Sequence, residues 1–385
     1  MKLQIKVQVL IVGLGPAGTA CSLGLSESEV NMLAIDRAFF PRDKICGDAL
    51  PSFALSYLSK WALFGTQSKH IYQSHFRMKG SFRTELLPFI PNRHEFSQDG
   101  DSFETKSKNF STIRRFHLDN TLVQNCLIRR VPIKFGWQVM QMKPDLDSGA
   151  WKVSGLIRNK HGQKTGTFQI NADVVVGCDG VSSIIRRASL SSYNDRLLAI
   201  ASRTYSLVGS KNKAQASIID HRWPGTNSYY WSFKVAGGMN SGVVFFPDVA
   251  RKMGKKLVAI TRKLSPSGDA IRTMAIPILS EGDNEEPAEG VLLTGDAASL
   301  VDPYLGHGID RALESGELAA QVLREGFYKK NTPAEISRRF REELAPRRRL
   351  WLKMGLNFQS KQANGVESLK NRLLVKSFLN LIKDS

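Results

Sequence analysis

The stretch VQVLIVGLGPAGTACSLGLSESEVNMLAIDR, residues 7–37, constrains the fold of this chain more than any other. Residues 7–12 form a short apolar run rich in β-branched side chains, which suits a strand buried on both faces. The run enters Gly13-Leu-Gly15-Pro-Ala-Gly18, continues through a helical segment of small residues, and reaches a second apolar strand ending in Asp36. Strand, glycine turn, helix, strand and acid in that order predict a βαβ unit that binds a dinucleotide. Its glycines allow a tight turn and let the backbone approach a pyrophosphate at the helix N-terminus. Asp36 lies where an acid accepts from a ribose hydroxyl, which favours FAD or NAD over NADP, and Arg37 stands beside it.

Two later stretches separate FAD from NAD. NADVVVGCDGVSSIIRR, residues 171–187, is an apolar strand running into Gly177-Cys-Asp179-Gly180, with Ser183 and Arg186 on the helix expected to follow. GVLLTGDAASLVDPYLGHGIDRALESGELAA, residues 290–320, is a strand ending in Gly295-Asp296, then a turn at Pro303, the glycines Gly306 and Gly308, and a long helix. With these in place the chain resembles the flavoproteins of the p-hydroxybenzoate hydroxylase type, whose fingerprints are an amino-terminal GxGxxG, a central DG and a carboxy-terminal GD motif. The resemblance implies that Asp296 accepts from a ribityl hydroxyl and that Gly306, His307, Gly308 and Ile309 open a helix whose N–H groups face the flavin ring. It also implies that RRFHLDNTLV, residues 114–123, starts a helix with Arg115 toward the ribityl or pyrophosphate and Asp119 ordering the helix. For Arg115 the alternative is a solvated helix residue, and for Asp179 a strand-ending turn.

Within that superfamily two segments are similar to the geranylgeranyl reductase family. Pro41-Arg-Asp-Lys44-Ile-Cys46-Gly47 resembles its Pro-x-x-Lys-x-Cys-Gly, and YYWSFKV resembles its Tyr-x-Trp-x-Phe-Pro-Lys through Tyr229, Trp231, Phe233 and Lys234, without the proline. His307 stands where the family usually has glutamate. The resemblance implies that Lys44, Cys46 and Gly47 lie on a loop near the flavin, and that Cys46, Tyr229, Trp231 and His307 are the catalytic candidates. A thiol at Cys46 can protonate a carbanion-like centre or serve as a small apolar residue beside the ring. Lys44 and Arg42 lower its pKa if their side chains turn toward it. The strand at Tyr229–Phe233 reads either as an ordinary half-buried sheet face or as an apolar channel wall.

Composition bounds the rest. The chain has 385 residues, 42% of them hydrophobic, enough for a sizeable core in two domains or one interleaved unit. There is no run of eighteen apolar residues and no charged-then-apolar leader, so a cytoplasmic protein without a spanning helix is expected. The four cysteines, Cys21, Cys46, Cys126 and Cys178, have no CxxC spacing, and the seven histidines show no metal spacing, so no metal and no disulfide framework are expected. A net charge of +19 attracts phosphates or anionic membranes, but no finger, helix-turn-helix or RNP signature points to nucleic acid. Residues 91–110 read as an exposed loop. Residues 331–385 mix basic and apolar residues at helical spacing, which suits a helix packed on the parent domain or one lying on an anionic membrane.

The expected fold is α/β: a Rossmann-like FAD-binding domain from residues 1–70, 106–187 and 270–330, a mainly antiparallel β-sheet substrate domain from 71–105 and 188–269, and a basic helical C-terminal region, 331–385. The expected function is an FAD-dependent oxidoreductase that reduces carbon–carbon double bonds of a hydrophobic, prenyl-type substrate. With no second GxGxxG, NAD(P)H or a reduced ferredoxin-like carrier would visit transiently as donor. The alternatives are a flavin-dependent monooxygenase or halogenase, although the halogenase Trp-x-Trp-x-Ile-Pro signature is missing, and a non-catalytic flavin-binding protein that docks on membranes.

Overall fold

Val9, Leu10 and Ile11 are fully buried in the middle of the strand Lys2–Val12, as a continuous apolar run between parallel neighbours requires. The computed structural model describes residues 2–61, 111–146, 148–190, 197–207, 228–281 and 286–366, with further strands at Tyr72–Gln73, Phe76–Lys79, Gln98–Asp99, Ser102–Thr105 and Ser217–Asp220. Within residues 91–110, expected as an exposed loop, 98–99 and 102–105 are strands and the rest lies outside the described residues, as do the apolar positions Leu369 to Leu381 of the tail.

A seven-stranded sheet carries the three fingerprints. Lys2–Val12 pairs in parallel with Met32–Asp36 on one side and with Lys164–Gly177 on the other. Lys164–Gly177 also pairs in parallel with Val291–Leu293. The register sets Val12 opposite Gly177, and Gly177 opposite Leu293. The turns at Gly13, Asp179 and Gly295 therefore leave the sheet side by side at its carboxyl edge, where open α/β sheets bind ligands. Trp137–Pro144 and Trp151–Arg158 extend the sheet as an antiparallel hairpin. On one face the helix Pro16–Leu25 packs on Ile309–Tyr328 through small residues. A Cβ on Gly316 would lie 2.1 Å from the carbonyl oxygen of Ala17, so the helices touch backbone to backbone there.

Among the described residues the second sheet has eight strands and is antiparallel except for one parallel pair, Phe76–Lys79 with Ser217–Asp220. Strand Tyr229–Val235 alternates in burial, so Tyr229, Trp231 and Phe233 share one face with Ala201, Val244, Ile278 and Val301. Val243 and Phe245 point the other way and are covered by helices Pro247–Met253 and Leu257–Leu264. One expected boundary moves. Arg272–Pro277 pairs along Leu198–Ser206 and is the edge strand of this second sheet, so the substrate domain extends past residue 270. The last described helix is Pro333–Val366, with Ile336, Phe340, Leu344 and Trp351 buried on the parent domain. No helix among the described residues is long and apolar enough to cross a membrane.

Candidate functional site

The glycine turn divides its labour. Gly13 has φ +98° and a Cβ there would lie 2.4 Å from the carbonyl oxygen of Cys178, while a Cβ on Gly18 would lie 1.8 Å from that of Gly13. Packing of the protein itself demands both. Gly15 is different, because the first atom its Cβ would meet is Nη2 of Arg42 at 3.7 Å, which leaves its open side to a ligand. The helix that follows has no side-chain cap and no acid in its first turn, so its N-terminal N–H groups and the Arg42 guanidinium face that side. Bare backbone donors, an open glycine and a cation form a cradle that fits the pyrophosphate of FAD. Asp36 is buried; Oδ2 accepts from the Leu14 N–H and Oδ1 from the Ala38 N–H, both at 2.7 Å, which fixes the turn and leaves each oxygen a second lone pair. Arg37 is exposed beside it.

The other fingerprints converge on this edge. Lys44 Nζ lies 2.7 Å from Asp296 Oδ2, joining the loop after the second strand to the GD motif. Asp296 is part-exposed at the carboxyl edge, as a ribityl partner must be. Arg115 sits in the first turn of helix Arg115–Ile128 and is buried, its Nε and Nη2 each 2.7 Å from an oxygen of Asp119. Arg42 Nη1 adds a third bond to Asp119 at 2.9 Å. Arg115 is thus no solvated helix residue. The Asp179 carboxylate accepts from the Ser183 hydroxyl and from the Ile184 and Ile185 N–H groups, capping helix Ile184–Ser189. Gly306, His307 and Gly308 precede helix Ile309–Tyr328, which has no side-chain cap. His307 Nδ1 lies 3.1 Å from Asp310, and Nε2 lies 3.7 Å from Asp302, itself bonded to Arg311 at 2.6 Å. Burial pushes the imidazole pKa down, but the two aspartates outweigh it and hold it above its usual value.

The two reductase-like segments meet. A Cβ on Gly47 would lie 3.2 Å from the Phe233 ring and 3.5 Å from Nε1 of Trp231, so the Cys46-Gly47 loop lies directly on the aromatic face of the second sheet. Trp231 Nε1 donates to Asn240 Oδ1 at 2.9 Å, and Asn240 Nδ2 donates to the Cys46 carbonyl at 2.8 Å and to Asp48 Oδ2 at 2.7 Å. Asp48 is fully buried in the left-handed region, φ 64°, and also accepts from the Tyr205 hydroxyl at 2.6 Å and the Arg115 N–H at 3.1 Å. Burial raises its carboxyl pKa to about 6 against the pull of these donors. Tyr205 is stacked between the guanidinium groups of Arg114 and Arg203, and Arg203 is bonded to Asp43 at 2.6 Å. The Tyr229 hydroxyl donates to the Leu305 carbonyl, tying the aromatic strand to the loop before Gly306.

Lys44 and Arg42 turn to Asp296 and Asp119, and the Cys46 thiol is not activated by them. Burial pushes it up and outweighs the opposing cations Arg115 and Lys44, so Cys46 is a neutral thiol at pH 7. Cys21 and Cys178 are likewise kept as thiols by burial. Sequence reasoning passed over Asp48, Tyr205 and Asn240. The only local signal was an acid directly after Cys46-Gly47, because Asn240 reaches Asp48 across 192 positions of sequence. Among the described residues no three His, Cys, Asp or Glu side chains gather as a metal site would need.

Comparison with known proteins agrees with this geometry. A family model described as an FAD binding domain matches residues 6–196. The menaquinone reductase of Mycobacterium tuberculosis is 27% identical, aligned with 91% of this chain and 85% of its own. The digeranylgeranylglycerophospholipid reductase 2 of Methanopyrus kandleri is 23% identical over 98% of this chain and 93% of its own. A geranylgeranyl bacteriochlorophyll reductase-like structure from Thermoplasma acidophilum superposes with TM-score 0.70 at 17% identity, covering 97% of this chain and 90% of that one. A probable FAD-dependent monooxygenase from Pseudomonas aeruginosa shares the fold at TM-score 0.65 and 15% identity, over 94% of this chain and all of that one. The chain carries an FAD binding domain over residues 6–196 and is similar to FAD-dependent reductases of the geranylgeranyl reductase-like kind.

Proposed function

We propose that this flavoprotein saturates a carbon–carbon double bond in a hydrophobic, prenyl-type lipid. The single observation that carries the reading is the junction at Gly47, where the loop that carries the neutral Cys46 thiol lies on an aromatic face beside the residues that fit FAD. The names of two relatives, a menaquinone reductase and a digeranylgeranylglycerophospholipid reductase, support a substrate with an isoprenoid chain. When bound, FAD would supply hydride transfer after reduction by a transient donor, either a hydride from NAD(P)H or two single electrons from a reduced ferredoxin-like carrier together with protons from solvent.

Saturating a double bond adds a hydride to one carbon and a proton to the other, and the chain must provide for the second. Cys46 suits that task. Its proton stays on Sγ at neutral pH because burial disfavours the thiolate, so a basic carbon can take it and solvent returns it afterwards. Asn240 donates to the Cys46 carbonyl, which fixes the Cys46-Gly47 backbone against the aromatic strand. Gly15, the first-helix N–H groups and Arg42 bind the pyrophosphate, Asp36 the adenosine ribose, and Asp296, Lys44 and Arg115 the ribityl region. Tyr229, Trp231 and Phe233 form the apolar wall on which an isoprenoid chain lies and from which water is excluded. The pair of His307 with Asp302 and Asp310 orders the backbone that precedes the flavin-facing helix.

The same fold occurs in monooxygenases and halogenases, so the test must read the product. The chemically reduced holoprotein is incubated without oxygen with menaquinone or with an unsaturated digeranylgeranyl lipid, and the lipid is weighed by mass spectrometry. A gain of two hydrogens per double bond is expected. Lipid unchanged without air but gaining oxygen when air is admitted would put the chain with the monooxygenases.

A further inference from the structure

The loop that follows strand Met32–Asp36 serves two domains with consecutive side chains. Arg42 and Lys44 turn to the FAD-binding domain, where they meet Asp119 at 2.9 Å and Asp296 at 2.7 Å. Asp43, between them, turns to the second sheet. Its Oδ2 lies 2.6 Å from Nη2 of Arg203 and its Oδ1 3.5 Å from Nη1, and Arg272 Nη1 adds a longer contact to Oδ2 at 3.4 Å.

Burial makes the first of these contacts obligatory. The Arg203 side chain is 2% exposed, whereas that of Arg272 is 61% exposed and hydrates its charge in water. A guanidinium held out of water keeps its carboxylate, because losing it leaves a buried charge unpaired. The strand register shows what the pair is fixed to. Arg203 lies opposite Gly242 and Gly242 opposite Trp231; one row along, Tyr205 lies opposite Asn240 and Asn240 opposite Phe233. Residues opposite one another share a sheet face, so Arg203 and Asn240 stand on the face that carries Trp231 and Phe233. A Cβ on Gly242 would lie 2.3 Å from the Trp231 ring, so the indole covers the position next to Arg203 in its row. Asn240 holds the Cys46 carbonyl, and Arg203 holds Asp43, three positions earlier. The segment 43–46 is therefore fixed to the aromatic face at both ends, and slack at one end reaches the other, since three residues span about 10 Å at most.

We propose that Asp43 is a positioning residue for Cys46: its ion pair with Arg203 seats the loop on the aromatic face and so sets where Cys46 can act. In Pro41-Arg-Asp-Lys44-Ile-Cys46-Gly47 it occupies one of the unspecified positions, so the motif itself does not mark it. The role rests on the reading of Cys46 as proton donor, but the seating of the loop can be measured without turnover.

Holoprotein is alkylated with iodoacetamide at fixed pH, and labelling of the Cys46 peptide is timed by mass spectrometry. Asp43→Asn should label at least about fivefold faster than wild type at unchanged flavin content, because labelling follows local opening of the loop. Arg203→Lys, which keeps the charge and loses the fork, should do the same and reads the pair if Asp43→Asn does not fold. Asp43→Glu, which keeps the carboxylate, and Arg272→Gln, at the exposed contact, should each stay within about twofold of wild type. Reoxidation of the reduced flavin by lipid gives a second readout. It should slow about tenfold in Asp43→Asn, but by less than about twofold when Asp43→Asn is added to Cys46→Ala, because the residue acts through Cys46. Equal slowing in both backgrounds, or unchanged labelling in Asp43→Asn and Arg203→Lys, would overturn the proposal. If wild type passes no hydride to lipid, faster labelling still upholds the seating of the loop by Asp43, and the failure belongs to the proposed function.

Discussion

The nucleotide cradle and the Cys46 loop are near neighbours in sequence, yet they are held in shape by opposite means. At the cradle, backbone meets backbone: Gly13 and Gly18 have no room for a Cβ, and the turn is decided within a few residues. At the Cys46 loop, side chains from the second sheet hold the backbone, with Asn240 reaching Cys46 across 194 positions and Tyr205 reaching Asp48 across 157. One region is shaped by steric exclusion and the other by a buried polar network. The first tolerates no added atom at Gly13 or Gly18. The second tolerates no lost partner.

Substitutions can break that contrast, and the largest effect is expected at the cradle. Gly18→Ala drives a methyl into the Gly13 carbonyl and should cost more than about 4 kcal/mol, leaving little folded, flavin-bearing protein. Gly15→Ala places its methyl on the ligand side, so flavin content should fall while the melting temperature of the apoprotein stays within about 2 °C of wild type. If both variants lost folded protein equally, the division between packing glycine and ligand glycine would be wrong.

Cys46→Ala comes next. Loss of a positioned proton donor should slow reoxidation of the reduced flavin by its lipid acceptor about 10²-fold, with reduction of the flavin by its donor changed less than about twofold. Stopped-flow absorbance separates the two half-reactions. An unchanged reoxidation rate would make Cys46 a small apolar filler.

The polar network should give the smallest but most diagnostic effect. Asp48→Asn sets an amide N–H₂ against donors from Tyr205, Asn240 and Arg115, and should cost about 1–3 kcal/mol. Its pH signature has a definite sign. A buried carboxyl raised to about 6 favours the neutral form on folding, so its contribution is greatest below about pH 4 and is lost as pH rises through 6. Wild type should therefore lose up to roughly 3 kcal/mol from this group between those limits, a slope that Asp48→Asn lacks. Urea unfolding across that range reads it directly.

The same contrast explains what was legible in the sequence. The cradle, the DG and GD turns and the start of helix Arg115–Ile128 depend on residues a few positions apart, so their spacing was sufficient. Arg115 and Asp119 were both marked by that helix start, but their ion pair was not, and Arg42, their third partner, comes from 77 positions away. Tyr229, Trp231 and Phe233 announced a strand by alternation, but period two does not say which face meets what, and their contact with Gly47 required the fold. The C-terminal region showed a similar gap. Helical spacing marked an apolar stripe, and only the packed helix revealed that Phe340 and Leu344 are buried on the parent domain. The boundary near residue 270 shifted because Arg272–Pro277 is an edge strand whose side chains are mostly half-buried or exposed, a weak pattern to read alone.

The central claim is that reduced flavin in this protein passes its hydride to an organic acceptor and not to oxygen. The holoprotein is reduced under strict anaerobiosis, mixed with an extract of prenyl lipids and quinones, and its flavin absorbance is followed. Return of the oxidised spectrum before any oxygen enters is the expected result. A flavin that stays reduced until air is admitted, and then forms a hydroperoxide, would contradict it.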